Sequence, residues 1–164
     1  MKWDKIINDK IFHSKKSLIQ VRDQWKQQQE KVVFTNGCFD ILHLGHIDYL
    51  SKAADLGKRL IIGVNTDASV SKIKGPNRPI IEEITRLTKL ASLAFVDAVI
   101  LFDEETPLEL IKSVRPDVLV KGGDYKISTI VGAEFVNQNG GNVIVIPFLK
   151  GHSSTSYINK ISNL

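Results

Sequence analysis

The chain has 164 residues and a mass of 18.3 kDa, with 43% hydrophobic and 24% charged residues, which predicts about one globular domain. Its 22 basic and 18 acidic side chains leave a net charge of +4 that is spread along the chain. This charge is weak evidence for a nucleic-acid partner, because affinity for small anionic molecules explains it equally well.

The cysteine content and the first residues bear on the compartment. Cys38 is the single cysteine, which excludes an internal disulfide and a multi-cysteine zinc site and suits a reducing environment. The sequence begins at Met1 without an apolar leader region, and no uncharged apolar run approaches the roughly 20 residues that cross a bilayer. We therefore expect a cytoplasmic protein with no membrane partner.

Residues 1–30 are predicted to form an N-terminal helical arm in front of a domain of residues 31–164. The arm is polar, and its apolar residues recur at roughly helical spacing. These residues are Ile6, Ile7, Ile11, Leu18, Val21 and Trp25. We expect the arm to pack in part on the main body of the chain or on a second subunit.

From residue 31 onward, short apolar runs alternate with amphipathic segments. The runs predict five β-strands, at residues 31–35, 59–64, 98–102, 116–120 and 142–146, and helical spacing predicts helices at residues 45–56, 82–95, 107–114 and 130–137. Strands that are apolar on both faces are typical of an α/β fold, here a Rossmann-like doubly wound parallel sheet with helices on both faces. Such sheets bind ligands beyond the carboxyl ends of their strands. We therefore expect the site among residues 35–46, 65–78, 103–106, 121–128 and 147–156.

The segment from Thr35 to His46, after the first predicted strand, combines several features of a phosphate site. Gly37 allows a tight turn, Gly45 allows close approach of the backbone, and a helix begins beside His43 and His46. Two histidines at this spacing can also bind a metal or simply pack. No carboxylate or cysteine lies at a spacing that would complete a metal site, so we predict no metal ligand.

A second candidate segment lies near the C-terminus. Four hydroxyl side chains, Ser153, Ser154, Thr155 and Ser156, precede a short predicted helix. Hydroxyl groups and free N–H groups at a helix start can hold a β- or γ-phosphate. Taken alone, an ordinary helix N-cap explains this segment as well.

Residues 37–46, Gly-Cys-Phe-Asp-Ile-Leu-His-Leu-Gly-His, resemble the H-x-G-H signature of the nucleotidylyltransferase superfamily. Its members join a nucleoside triphosphate to a phosphorylated small molecule and release pyrophosphate. Residues 151–156 are similar to the superfamily's I-S-S-T-x-x-I/R element, with His152 where an apolar residue or arginine is common.

The segments between these two motifs resemble the adenylyltransferase of ADP-heptose synthesis. They are residues 62–67, 74–79, 105–107, 115–125, 130–133 and 140–141. The sharpest marker is residues 121–125, Lys-Gly-Gly-Asp-Tyr, because related cytidylyltransferases differ after that strand. That family is either fused to a sugar kinase or free. This chain is similar to the free form, which implies a separate heptose kinase as its pathway neighbour and, as is common in the family, a homodimer.

The resemblance implies attack of a sugar 1-phosphate, D-glycero-β-D-manno-heptose 1-phosphate, on the α-phosphorus of ATP. His46 would contact the transferring phosphoryl group while His43 orients it. Lys74, on the loop after the second strand, and Arg86, at the start of the following helix, would be further catalytic cations. Mg²⁺ is expected on phosphate oxygens and water rather than in a protein cage.

The resemblance also implies a set of binding residues. Those expected to bind the nucleotide are Asn36, Gly37, Cys38, Phe39, Gly45, Lys121, Gly122, Gly123, Asp124, Ser153, Ser154, Thr155 and Ser156. Asp40 and Asn65 are expected to contact the sugar phosphate, although Asp40 could instead cap a turn. Cys38 is expected to be a small buried residue rather than a nucleophile.

Three alternatives remain open at this point. The first is a cytidylyltransferase that acts on glycerol 3-phosphate or another small phosphate. The second is a regulatory nucleotide-binding module without turnover, against which the intact histidines and hydroxyl cluster argue. The third is a nucleic-acid-binding protein, which would require a clustered basic face with exposed aromatic residues. The dispersed charge and 7% aromatic content give it little support, so no nucleic-acid partner is expected.

Overall fold

A six-stranded parallel β-sheet forms the centre of the fold in a computed structural model that describes residues 2–149 and 151–162. The strands are β1 (Ile11–Phe12), β2 (Val32–Gly37), β3 (Arg59–Asn65), β4 (Ala98–Phe102), β5 (Val118–Gly122) and β6 (Asn142–Ile146). The helices are α1 (Trp3–Asn8), α2 (Lys15–Gln27), α3 (Leu44–Ala54), α4 (Asp67–Lys74), α5 (Glu83–Ala91), α6 (Leu108–Val114), α7 (Ala133–Gln138) and α8 (Ser154–Ser162), and a 3₁₀ turn spans Ile127–Thr129.

The expectation of five strands is wrong, because the sheet has a sixth strand, β1, inside the arm. Ile11 and Phe12 pair with Val99 and Ile100 of β4 at one edge of the sheet. A strand of two residues is too short to show an alternating pattern, so the arm's sequence indicated only helices. The arm is therefore α1, β1 and α2 rather than helix throughout.

The strand order is β1-β4-β3-β2-β5-β6, so β2 lies between β3 and β5. From β2 the chain builds outward through β3 to β4, and it then crosses back to add β5 and β6 on the other side of β2. The order reverses between β2 and β5. In open parallel sheets this reversal leaves a crevice beyond the carboxyl ends of the two strands.

Helices cover both faces of the sheet, as the apolar strands predicted. Neighbouring residues of β2 point to opposite faces, with Val33 in one core cluster and Phe34 in the other. The first cluster includes Leu50 of α3 and Leu87 of α5, and the second takes its helical residues from α2, α6 and α7, such as Leu110.

The arm is attached to the main body by buried polar contacts. The Arg22 guanidinium of α2 is 6% exposed and donates to the carbonyl oxygen of Val114 at 2.7 Å. Arg59 at the start of β3 pairs with Glu30 and Asp97, and its guanidinium lies 5.1 Å from the centre of the Trp25 ring. Every helix within residues 2–149 and 151–162 is too short or too polar to cross a membrane.

Candidate active site

A cleft of about 250 Å³ opens at the carboxyl ends of β2 and β5, where the strand order reverses. Ten of the predicted site residues line it: Asn36, Gly37, Cys38, Phe39, Asp40, His46, Lys74, Lys121, Gly122 and Ser154. Nine others lie outside its lining: His43, Gly45, Asn65, Arg86, Gly123, Asp124, Ser153, Thr155 and Ser156. The structure thus gathers the post-strand segments at one edge, although several predicted residues support the cleft instead of facing it.

The turn between β2 and α3 carries the two imidazoles. His43 is the N-cap of α3, and its Nδ1 accepts a hydrogen bond from the backbone N–H of His46 at 3.4 Å. A neutral imidazole that accepts at Nδ1 carries its proton on Nε2, which leaves His43 a free donor. The two rings stack with their centres 3.8 Å apart. Gly45 makes this packing possible, because a Cβ there would lie 3.2 Å from the His43 ring and from the Cβ of His152.

Both imidazoles are held in the neutral form. Burial, followed by the nearby His43 and Lys74, lowers the pKa of His46 from 6.5 to about 4, although the Ile41 carbonyl opposes the shift. Burial and then the neighbouring His152 lower the pKa of His43 in the same direction. At neutral pH the two rings are therefore uncharged hydrogen-bond donors, and an arriving anion would favour their protonation.

The hydroxyl-rich turn at the start of α8 lies against the histidine turn. Ser154 Oγ donates to the Ile41 carbonyl at 3.4 Å, and the Tyr157 ring stacks on His43 with the centres 5.8 Å apart. Ser153 Oγ accepts from the Ser156 N–H at 3.1 Å, as a helix cap does. Two segments more than 100 residues apart thus meet at the cleft, with Ser154 facing into it.

The end of β5 forms the opposite wall. Lys121 lines the cleft, its Nζ lies 5.9 Å from the centre of the Tyr125 ring, and burial lowers its pKa. Only glycine fits at position 122 in this packing, because a Cβ there would lie 2.5 Å from the Phe148 ring. Gly123 adopts a φ of 119°, which glycine tolerates best, while Asp124 is exposed beyond the cleft.

The predicted binding residues lack three aromatic residues of the cleft, Tyr49, Tyr125 and Phe148, although Tyr125 and Phe148 lie in segments that were expected to hold the site. The Tyr49 hydroxyl is buried between Thr35 and the Val120 carbonyl, and burial raises its pKa. Phe148 is 55% exposed and makes an edge contact with the Tyr49 ring. Its place directly after β6 was the available signal, since side chains that follow parallel strands share the ligand edge.

Both carboxylate oxygens of Asp40 are bonded within the chain, as in the turn-capping alternative. It is 1% exposed, and its Oδ1 accepts from the N–H groups of Ile80 and Ile81 at 2.8 and 2.9 Å. Its Oδ2 accepts from the Arg78 guanidinium at 2.5 Å. Both oxygens are engaged within the chain, so Asp40 fixes the segment of residues 78–81 to the floor of the cleft.

Arg86 and Asn65 also lie behind the cleft. Arg86 is fully buried, and its guanidinium donates to the carbonyl of Cys38 at 2.5 Å and to the carboxylate of Asp67 at 2.8 Å. Asn65 is 5% exposed and donates to Ser69 Oγ at 2.9 Å. The structure thus places both side chains behind the cleft lining and hydrogen-bonded within the chain, and their roles toward the substrates stay predictions.

Lys74 lies at the end of a helix rather than on the loop expected from the sequence. It is the last residue of α4, a helix capped by the Thr66 side chain, with Ser69 and Val70 as its buried residues. So small an apolar face leaves little periodicity to detect. The Lys74 side chain is exposed, lines the cleft, and is close enough to lower the pKa of His46.

Among the residues that the structure describes, the cleft has no cluster of metal-binding side chains. Across the described ranges, 2–149 and 151–162, no three or more His, Cys, Asp and Glu side chains stand close enough together to hold a metal ion. The polar side chains that line the cleft are the His46 imidazole, two ammonium groups, hydroxyls, the Asn36 amide, the Cys38 thiol and the Asp40 carboxylate, and aromatic rings lie beside them. These groups suit a polyanion that carries aromatic and polar parts.

Comparison with known proteins agrees with this geometry. The cytidylyltransferase-like family matches residues 34–160. The bifunctional protein HldE of Magnetococcus marinus is 50% identical over 159 residues, which are 97% of this chain and 31% of that protein. HldE of Caulobacter vibrioides is 55% identical over 139 residues, 85% of this chain and 29% of that protein. The chain thus spans about 30% of the length of these two relatives.

Two solved structures share the fold. The lipopolysaccharide core biosynthesis protein from Thermoplasma volcanium superposes with a TM-score of 0.59 at 33% identity, over 75% of this chain and 99% of that one. Pantoate-beta-alanine ligase from Francisella tularensis superposes with a TM-score of 0.62 over 94% of this chain and 78% of that one, but its 18% identity supports the fold alone. The match over residues 34–160 and the cleft between the two signature turns establish that the chain belongs to the cytidylyltransferase-like family and is a nucleotidyltransferase of the nucleotidylyltransferase superfamily.

Proposed function

We propose that the chain transfers the adenylyl group of ATP to D-glycero-β-D-manno-heptose 1-phosphate, giving ADP-heptose and pyrophosphate for the lipopolysaccharide core. The observation that carries the proposal is the contact between the histidine turn and the hydroxyl turn at a cleft whose opposite wall is Lys121 and Gly122. The resemblance of residues 121–125 to the heptose family supports the choice of substrates. So do the relatives named bifunctional protein HldE and the related lipopolysaccharide core biosynthesis protein.

In this reaction an oxygen of the sugar 1-phosphate attacks the α-phosphorus of ATP as the bond to the β-phosphate breaks. The nucleophile is already an anion, so the reaction requires no general base. The chain has to hold two anions that repel each other in line, and it has to stabilise the charge that develops on the phosphorus and on pyrophosphate. Donors fixed in advance do this better than flexible ones, since they need no reorganisation during the reaction.

The donors of the cleft fit these demands. His46 is proposed to donate to the transferring phosphoryl group, and the Nε2–H of His43 to orient the triphosphate. Lys74 adds a cation on an exposed helix end, from which its side chain can follow the triphosphate to the leaving group. Helix starts also favour an anion. At α3 and α8 the N–H groups of His46 and Ser156 bond to the side chains of His43 and Ser153, so we assign the phosphates to the N–H groups that precede them.

We place the base of the nucleotide beside Gly122 and Phe148, where the exposed Phe148 ring offers an aromatic surface for stacking. A second pocket adjoins the cleft, and Asn36, Lys121 and Tyr125 border both spaces. The remaining lining of that second pocket is Pro107, Leu119, Thr129, Ile130 and Val131. Its mixture of apolar and polar groups suits a sugar, and its shared border would bring the sugar phosphate next to ATP.

Mg²⁺ is proposed to arrive on the triphosphate, held by phosphate oxygens and water. The carboxylate that lines the cleft, Asp40, has both oxygens occupied by Arg78, Ile80 and Ile81, so it is not a ready ligand. The ion would neutralise part of the charge on the phosphates. The residues of the chain supply the remaining positive potential through Lys74 and Lys121.

The cellular setting is proposed on the same basis. ATP-dependent chemistry and an unpaired Cys38 suit the cytoplasm, and a heptose kinase would supply the sugar 1-phosphate. A homodimer is proposed because Trp3, Ile80 and Ile84 are each more than half exposed. A sedimentation measurement of the mass in solution tests this part.

The deciding experiment measures pyrophosphate release with ATP or CTP against a panel of phosphates that includes the heptose 1-phosphate and glycerol 3-phosphate. We expect rapid release with ATP and the heptose 1-phosphate together, and little with any other pair. Faster release with CTP and glycerol 3-phosphate would replace the proposal with the cytidylyltransferase alternative. Binding of ATP without release for any phosphate would favour a regulatory module.

A further inference from the structure

A row of stacked rings joins the two turns of the cleft. The His43 ring stacks with one ring from each of the two turns. The centre of the His46 ring lies 3.8 Å from that of His43, and the centre of the Tyr157 ring of α8 lies 5.8 Å from it. The planes of these pairs lie 17° and 20° apart, so both contacts are nearly parallel stacks. Tyr157 falls on a variable position of the I-S-S-T-x-x-I/R element, and it does not line the cleft.

Tyr157 is itself held by a hydrogen bond. Its hydroxyl lies 2.9 Å from Nδ1 of His152, the residue at which the sequence departs from the family pattern. The Cβ of His152 sits over Gly45, so the backbone of the hydroxyl turn approaches the start of α3 closely. His152 and Tyr157, both on the hydroxyl turn and the start of α8, therefore form a hydrogen-bonded pair, and the Tyr157 ring of this pair packs against His43 of the histidine turn.

We infer that Tyr157 is a positioning residue for His43 and that His152 orients Tyr157, so that the two turns hold the imidazole pair in place before a nucleotide binds. This inference rests on the proposed function for the reaction that the imidazoles serve. Its structural part concerns the ligand-free protein alone.

Elementary physics gives the pair this effect. A half-buried imidazole on a turn can occupy several rotamers, and its stack on a tyrosine ring favours one of them. The hydrogen bond to His152 in turn restricts rotation of the tyrosine ring about its side-chain bonds. Displacing a catalytic group by about 1 Å can lower a rate by about 100-fold, so a ring that never touches the substrate can still control turnover.

Kinetics of four variants test the inference. Tyr157→Ala removes the ring, and we expect kcat to fall by about 10- to 100-fold while the KM for ATP changes little. Tyr157→Phe keeps the ring and should restore most of the lost kcat, leaving a deficit below about tenfold from the missing hydrogen bond. His152→Phe should match Tyr157→Phe, and the double variant should be no worse than either, because both remove one contact. Ile161→Ala, at an exposed position on the same helix, is the matched control and should retain wild-type kinetics.

A measurement without ligand separates this inference from the proposed function. NMR titration of the ligand-free protein gives the pKa of His43, which burial holds below its ordinary 6.5. Tyr157→Ala should raise that pKa towards 6.5 by exposing the ring to water, whereas Tyr157→Phe should leave it low. If wild type fails to join ATP to the sugar phosphate while this shift appears, the proposed function fails and the positioning contact stands.

Two results would overturn the inference. One is an unchanged His43 pKa in Tyr157→Ala together with wild-type kcat. The other is equal impairment of Tyr157→Ala and Tyr157→Phe, since the ring would then contribute nothing. If Tyr157→Ala does not fold, the two single variants Tyr157→Phe and His152→Phe and their double variant still test the inference. A kcat of the double variant that is reduced by the product of the two single reductions would contradict a shared contact.

Discussion

Replacing Asp40 with asparagine tests whether this carboxylate holds residues 78–81 in place or contacts the substrate. The substitution keeps the Oδ1 position that receives the N–H groups of Ile80 and Ile81, and it replaces Oδ2 with an NH₂ group that faces the donors of Arg78. The Arg78 guanidinium then loses its carboxylate partner and meets another donor. The Asp40 side chain is fully buried and that of Arg78 is 16% exposed, so water can compensate only in part.

The size of the effect follows from this burial. Removing one member of a buried ion pair destabilises a protein by about 3–5 kcal/mol. The partial exposure of Arg78 places Asp40→Asn at the lower end, at about 3 kcal/mol. Asp40→Ala also leaves two backbone N–H groups without their acceptor, at about 1–3 kcal/mol for each unsatisfied group, so it should be the more damaging variant. Whole domains are stable by about 5–15 kcal/mol, and Asp40→Ala therefore approaches complete unfolding.

The assay is urea unfolding, combined with steady-state kinetics at a temperature where the variant is folded. We expect a lower unfolding midpoint and a reduced kcat, because the Ser71 hydroxyl donates to the Arg78 carbonyl and so joins residues 78–81 to the helix that ends at Lys74. Asp55→Asn, at an exposed site, is the control and should stay within about 0.5 kcal/mol of wild type. Wild-type stability in Asp40→Asn, with only the KM for the sugar phosphate raised, would refute the structural role of Asp40 and would support a contact between Asp40 and the substrate.

Three further predictions concern the cationic and imidazole groups. His46→Ala should raise the barrier of the chemical step by about 2–4 kcal/mol, as for one lost oxyanion donor, and near-normal kcat in a folded variant would mean that the site is misassigned. Lys74→Ala should weaken binding of ATP or of the transition state while the melting temperature is unchanged, because the side chain is exposed; a protein that unfolds would show a structural role instead. The pKa of His46 is about 4 in the folded protein and 6.5 in the unfolded chain. Between these values the unfolded chain binds more protons, so the free energy of unfolding decreases as the pH is lowered. Wild type should lose up to about 2 kcal/mol between about pH 7 and pH 5 in urea unfolding, and an equal loss in His46→Gln would contradict this origin.

Local patterns in the sequence determined the layout of the fold. Apolar runs located β4 and β6 at the residues observed, and β2, β3 and β5 within one or two residues at each end. The runs are informative because a strand covered on both faces must be apolar along its whole length. The sequence also indicated that His43 and Gly45 lie at the start of one helix and Ser154 at the start of another, because few residue types fit a helix N-cap or a close backbone approach.

Tertiary contacts decided which partners these side chains have. Asp40, Asn65 and Arg86 have residue types and positions that suit a substrate site, yet their polar groups bond to partners up to 48 residues away in the chain. The stack of Tyr157 on His43 joins positions separated by more than 100 residues. Spacing along a chain records local geometry only, whereas a buried polar group takes whichever partner the packing of distant elements brings within hydrogen-bond distance.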